Sequence, residues 1–279
     1  MNESIQSLKS EGSALLQYDP QLRANVEYAA RMWMEFCSLP IHSKQHFVAT
    51  SDGAGSGYEL KNGIGKNADY KENFDIAQAH NDYLESLLLA INREDIESDF
   101  IRSAMALSDQ IAPLAVHFAE LVEEQYDLKG FANEVRASSA TTFIRFIHYF
   151  GDRSAGDLIA EPHVDQSGFT FHLYESASGC ERLNPMTHIW ESMPVTAGKA
   201  AVIPAMQLQL RSNGELKALA HRVLATDATK NVGRSAIVGF VRLNGTPNYD
   251  KTRHGRLQER EPGFNYSMNQ SDFADLFQQ

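Results

Sequence analysis

Near Ser138 the apolar pattern of the sequence changes period, and that change limits the fold more than any other feature. Before it, apolar residues recur at helical spacing. From Pro20 to about Cys37, Leu22, Val26, Ala29, Ala30, Trp33 and Phe36 share one helical face. Asp19-Pro20 supplies an N-cap followed by proline at the first helical position, and Leu39-Pro40 ends the segment. A second block from about Arg93 to Tyr126 carries the stripe Ile101, Met105, Ser108, Ile111, Ala112, Ala115, Phe118, Ala119 and Val122. Pro113 inside it predicts a kink or a split. Between the blocks, residues 41–81 read as irregular, broken by Gly53, Gly55, Gly57, Gly63 and Gly65.

After Ser138, short runs rich in β-branched and aromatic residues take over: Thr141–Phe150, Phe169–Tyr174, Ala200–Ile203, Leu219–Ala225 and Ser235–Leu243. Turn residues separate them, as in Ser178-Gly179 and Ser212-Asn213-Gly214. Helices first and strands later, without βαβ alternation, argue against a doubly wound sheet. The expected fold class is mainly β with flanking helices, a double-sheet core preceded by an α-helical N-terminal half. We expect one domain over 1–279, with a mostly helical part over 1–137, the β core over 138–245 and a tail over 246–279. Phe273 and Phe277 predict a short docking helix in that tail.

The chain has 279 residues, of which 43% are hydrophobic, enough for a sizeable core. Its net charge of −11 disfavours nucleic acid and anionic membranes as partners. Cys37 and Cys180 give no disulfide framework and read as reduced thiols. No basic, apolar leader opens the sequence, and no run approaches the roughly 18–20 apolar residues that cross a bilayer. A soluble, cytoplasmic protein is expected; its oligomeric state is not legible.

The chemistry concentrates in His163-Val164-Asp165, with His221 and then Arg234 far downstream. Residues i and i+2 of a strand project to one side, so His163 and Asp165 can reach one metal from a strand end. His221, in an apolar run, is the natural third ligand. Two imidazoles and a carboxylate on one face of an ion leave the other face open, the arrangement of non-haem Fe(II) oxygenases. Arg234 offers a fixed cation for the far end of a dicarboxylate such as 2-oxoglutarate. His172, His188 and His254 read as ordinary structural histidines, and His148 carries no assignment.

Three segments bear a resemblance to a known family: residues 161–170 around His163 and Asp165, residues 207–223 containing Ser212-Asn213-Gly214, Lys217 and His221-Arg222-Val223, and residues 233–240 after Gly233. The chain resembles the 2-oxoglutarate/Fe(II)-dependent dioxygenase superfamily in its isopenicillin N synthase-like branch. The resemblance covers residues 138–243 well and extends weakly upstream through Leu39-Pro40, Gly57-Tyr58 and residues 71–75. It implies a double-stranded β-helix, or jelly-roll, core. It also implies that His163, Asp165 and His221 hold iron and act in catalysis, and that Arg234 binds the C5 carboxylate of 2-oxoglutarate. Tyr149 matches a tyrosine that contacts the co-substrate. The family's serine two positions after the arginine is Ala236 here, which leaves Ser235 as a substitute. The family's asparagine two positions before the tyrosine is Ile147, and its short N-terminal strand is not evident.

The implied reaction is hydroxylation, desaturation or cyclisation of a small molecule, using Fe(II), dioxygen and 2-oxoglutarate, which is decarboxylated to succinate. Asp165 disfavours halogenation, because halogenating relatives lack that carboxylate. Substrate contacts are expected from the Gly-rich segment 53–65 and from the tail, with Arg253, His254 and Arg256 as candidates for an anionic substrate. The alternatives are an oxidase that dispenses with 2-oxoglutarate, a zinc hydrolase on the same ligands, and a non-catalytic jelly-roll binding protein.

Overall fold

Asp19 starts the first long helix as its sequence predicts. Its carboxylate accepts hydrogen bonds from the amides of Gln21 (2.8 Å) and Leu22 (2.9 Å), which have no partner within the helix. The computed structural model describes residues 3–49, 56–62, 70–91 and 95–244. In chain order the N-terminal half holds α1 (Glu3–Ser10), β1 (Ala14–Gln17), α2 (Pro20–Cys37), α3 (Ile41–Lys44), β2 (Gly57–Asn62), β3 (Tyr70–Ala77), α4 (Asn81–Ile91), α5 (Ile96–Tyr126) and α6 (Phe131–Ala137). The second half holds β4 (Phe143–Tyr149), β5 (Leu158–His163), β6 (Phe169–Glu175), β7 (Cys180–Leu183), β8 (Trp190–Ser192), β9 (Lys199–Pro204), α7 (Met206–Arg211), β10 (His221–Leu224) and β11 (Arg234–Val241).

The strands form two antiparallel sheets, a major one in the order β1-β9-β6-β11-β4-β3-β2 and a minor one in the order β5-β10-β7-β8. This is the double-sheet core expected from the strand pattern, and the double-stranded β-helix that the resemblance implies. Side chains alternate across the major sheet. Ile144 and Phe146 of β4, Phe169 and Phe171 of β6, and Ile237 and Val241 of β11 join the large buried core with α2 and α5. At its centre Phe100 packs edge-on against Phe74 and Phe146, with ring centroids 5.1 Å apart in each pair. Trp33 and Phe36 pack on the same ring. Truncating an aromatic side chain buried this deeply costs about 3–5 kcal/mol. The helices thus back the sheet and hold it rigid, while its other face looks toward the minor sheet.

Three expectations need correction. The N-terminal strand not evident in the sequence exists: β1 pairs with β9 from Ala14↔Val202 to Gln17↔Lys199. Part of the stretch read as irregular is the β2–β3 hairpin, registered from Gly57↔Asp75 to Asn62↔Tyr70. Its polar strands Tyr58–Asn62 and Tyr70–Asn73 hide the alternation on which a strand assignment rests. Of the kink or split expected at Pro113, the split does not occur: α5 runs from Ile96 to Tyr126. Ile111, Leu114 and Ala115 around it are buried, so packing outweighs one missing hydrogen bond. The short strands β5, β7 and β8, and the helices α4 and α7, also went unread. Expectations for Gly53, Gly55, Gly63, Gly65, Arg253, His254, Arg256, Phe273 and Phe277 lie outside the described residues.

Candidate metal centre and co-substrate pocket

The end of β5 and the start of β10 lie side by side, because His221 pairs with His163 in the minor sheet. That pairing brings two imidazoles 58 positions apart into contact, with ring centroids 4.3 Å apart. Asp165 follows β5 by two residues, so it belongs to the loop leaving the strand rather than to the strand itself. Its Oδ1 is 3.9 Å from His163 Nε2 and its Oδ2 is 3.9 Å from His221 Nε2. One ligand atom from each of the three residues lies within 4.8 Å of the others.

The far side of each imidazole is tied down. His163 Nδ1 is 2.7 Å from the Glu161 carbonyl, and His221 Nδ1 is 3.2 Å from the Leu219 carbonyl. A carbonyl accepts only, so each Nδ1 carries a proton, and in a neutral ring that leaves the lone pair on Nε2. Thr170 donates a 2.5 Å hydrogen bond to Asp165 Oδ2 and orients that carboxylate. Burial, reinforced by the neighbouring His163, pulls His221 down to about 3, which keeps it neutral. Burial alone would raise Asp165, but the imidazoles of His221 and His163 and the Thr170 bond outweigh it and hold the carboxyl below its usual range. A neutral His221 imidazole, an ionised carboxylate and fixed second bonds suit a divalent cation, so the three residues fit the metal the sequence points to.

The three side chains open into a cavity of about 840 Å³ between the sheets. Arg234, Tyr149, Thr170, His172 and Glu175 line it with the ligands. Arg234 is only 2% exposed, and burial draws its guanidinium below the ordinary value. It forms an ion pair with Glu175, donates to the Ala177 carbonyl (3.2 Å) and lies 5.8 Å from the Tyr149 ring centre. Its Nε is buried without a partner. Gly233, at φ +77°, sets the entry of β11: a Cβ there would collide with the Tyr149 carbonyl oxygen.

The structure does not bring Ser235 to this pocket. One residue along a strand reverses the side-chain direction, so Ser235 is not among the cavity-lining residues, and its register partner is His148. His172 is also placed differently from the structural role expected of it. It is buried in the cavity wall, with Nδ1 3.3 Å from Glu175 and Nε2 unpaired, and burial takes it down to about 4. His172, Glu175 and Cys180 form a second grouping with metal-ligand spacing. It suits a metal poorly, because burial pushes the Cys180 thiol up to about 12 and Glu175 already serves Arg234.

Sequence reasoning also missed Lys61, Lys71, Phe143, Arg145, Phe240 and Arg242, all of which line the cavity. The signal for the last two was available: with Arg234 facing inward, a period of two puts residues 236, 238, 240 and 242 on the same side. Lys61 and Lys71 depended on recognising the β2–β3 hairpin.

A jelly roll that gathers two histidines and a carboxylate at the mouth between its sheets, with a buried arginine in the same cavity, defines the non-haem iron oxygenase class. Residues 141–243, the segment that carries this arrangement, match the family model of the 2OG-Fe(II) oxygenase superfamily. No curated protein matches the chain. Solved structures share the fold. A full-length Neurospora crassa protein in complex with alpha-KG is 18% identical, over 93% of this chain and 89% of that one, with a TM-score of 0.70. AtDAO1, the dioxygenase for auxin oxidation 1 from Arabidopsis thaliana, in complex with 2-oxoglutarate, is 17% identical over 89% of each chain, with a TM-score of 0.71. JOX2 in complex with 2OG, Fe and JA is 17% identical, over 87% of this chain and 71% of that one, with a TM-score of 0.64.

Proposed function

We propose that this protein is an Fe(II)- and 2-oxoglutarate-dependent oxygenase that hydroxylates, desaturates or cyclises a small molecule and releases succinate and CO2 from the co-substrate. One observation carries the reading: three ligand atoms within 4.8 Å of one another share a cavity with a buried arginine. Bound Fe(II), with 2-oxoglutarate and dioxygen, supplies the oxidising power to break an unactivated C–H bond. The 2-oxoglutarate in the solved complexes of the Neurospora crassa protein and AtDAO1 supports the co-substrate.

The protein's own part is placement. His163, Asp165 and His221 would hold the metal from one side. Arg234 would hold the distal carboxylate of the co-substrate, its unpaired Nε offering a donor beyond those engaged by Glu175 and Ala177. Tyr149 forms the adjoining wall. The buried setting strengthens that charged contact, because little water competes for it. The cavity walls would keep the substrate within reach of the metal and exclude bulk water.

The Glu175 carboxylate on Arg234, together with Ala236 in place of a serine, favours one second reading: an oxidase of this fold that needs no 2-oxoglutarate. Anaerobic titration with Fe(II) and then 2-oxoglutarate separates the two. The oxygenase develops a weak visible absorption band on adding 2-oxoglutarate and forms succinate once air is admitted. Iron binding with no response to 2-oxoglutarate favours the oxidase, and failure to bind iron defeats both readings.

A further inference from the structure

The strand register divides the cavity into two ends. Arg234 opposes Tyr149 at one end of the β11–β4 ladder, and Phe240 opposes Phe143 at the other. On its other side β11 pairs Phe240 with Thr170, the residue whose hydroxyl holds Asp165. Phe240 and Phe143 are therefore level with the metal ligands, whereas the co-substrate arginine lies six residues further along the strand. If the proposed function holds, the co-substrate fills the Arg234 end, and the Phe143–Phe240 end receives the molecule to be oxidised.

That end has a distinct chemistry. The Phe143 and Phe240 rings stack with centroids 4.9 Å apart and planes inclined by 23°, and both are half-buried cavity walls. Val238 and Ile147 extend the apolar surface inward. Arg145 sits 5.5 Å from the Phe240 ring centre, but two hydrogen bonds to Asp75 (2.7 and 2.6 Å) already commit its charge. Arg242 lies 5.2 Å from the Phe143 ring centre, is exposed at the cavity edge, and has no carboxylate partner among the described residues. An aromatic wall of stacked rings, ending in a guanidinium that has no carboxylate partner among the described residues, matches a ring that bears an acid group. Such a cation is needed locally, since a protein of net charge −11 repels anions at long range.

We infer, resting on the function proposed above, that the substrate is a small aromatic or similarly planar carboxylate, its ring against Phe143 and Phe240 and its carboxylate on Arg242. The geometry makes Arg242 a specificity-determining residue and the two phenylalanines the ring platform.

The test is calorimetric binding to the anaerobic protein loaded with Fe(II) and 2-oxoglutarate. The probes are benzoate, phenylacetate, 3-phenylpropanoate and 2-naphthoate, each beside its carboxamide, with cyclohexylacetate as the non-planar control. At least one acid should bind about tenfold tighter than its amide, the scale of 1.4 kcal/mol for one charged contact. Arg242→Gln should erase that preference, and Arg242→Lys should restore part of it. Phe240→Leu should weaken acid and amide together and remove the advantage of phenylacetate over cyclohexylacetate. Acids binding no better than amides across the panel at 10 mM (roughly the weakest binding calorimetry resolves), or a preference that survives Arg242→Gln, overturns the inference. The 2-oxoglutarate absorption band of the unmutated protein is recorded separately. Its absence counts against the oxygenase reading, while the acid–amide comparison is scored whether or not it forms.

Discussion

Single residues decide the chemistry, and the spacing of a few made it legible. His163 and Asp165, two apart, had to emerge near one another, and a third ligand had to come from another strand. Ser235 failed the same logic, since its single-residue offset from Arg234 sends it to the opposite side of the pleat. Glu175 was illegible for a different reason: an acidic residue at a strand exit reads as solvated until its partner is known, and that partner lies 59 positions away. Removing the Arg234 guanidinium should weaken the proposed co-substrate contact by about 2–5 kcal/mol, the scale for a desolvated charge pair. Arg234→Ala is accordingly expected to raise the 2-oxoglutarate dissociation constant by well over tenfold while iron affinity stays near that of the unmutated protein. Equilibrium dialysis of each ligand measures both. Asp165→Ala should abolish oxygen-dependent turnover and iron binding together, followed by oxygen uptake and metal analysis.

At the scale of elements, the hairpin β2–β3 matters most and was hidden best. It plants Glu72 in a buried knot of polar groups. The carboxylate accepts from Lys44 Nζ of α3 (2.7 Å) and from the Tyr58 hydroxyl of β2 (2.7 Å), and lies 2.9 Å from His148 Nδ1 of β4. Glu72 is 1% exposed. Burial would raise it, but the bonds from His148, Lys44 and Tyr58 outweigh burial and take it down to about 2. Four separate elements thereby share one charge, and a sequence shows only isolated polar residues there. Glu72→Gln leaves Lys44 buried without its counter-charge and should cost about 3–5 kcal/mol, measured by urea unfolding. The pH dependence has a defined sign. A carboxyl whose folded pKa is depressed from 4.5 to about 2 contributes its full stability above 4.5 and loses it as pH falls toward 2. The unmutated protein should therefore lose stability across that window by a component that Glu72→Gln lacks.

The whole molecule is a rigid helical backing behind one sheet, with the reactive groups on the face turned away from it. Among the described residues no helix is long and apolar enough to cross a membrane. The broad architecture was legible because the switch from helical to strand periodicity survives averaging over many residues; the two-sheet register was not, because pairing joins segments far apart in sequence. Ligands that bind only the folded state add about 2.7 kcal/mol at a hundred times their dissociation constant. At about 2–4 °C per kcal/mol for a chain near this size, anaerobic calorimetric scanning should therefore show Fe(II) with 2-oxoglutarate raising the melting temperature by about 5–11 °C, and Asp165→Ala should remove the rise. The four-residue strand β1 has its own consequence. It sits at the margin of the major sheet and occupies the amides and carbonyls of β9 that would otherwise face outward. Proteolytic trimming past Gln17 would bare that ladder, and one trimmed molecule could then zip onto another, turning a monodisperse preparation into a self-associating one.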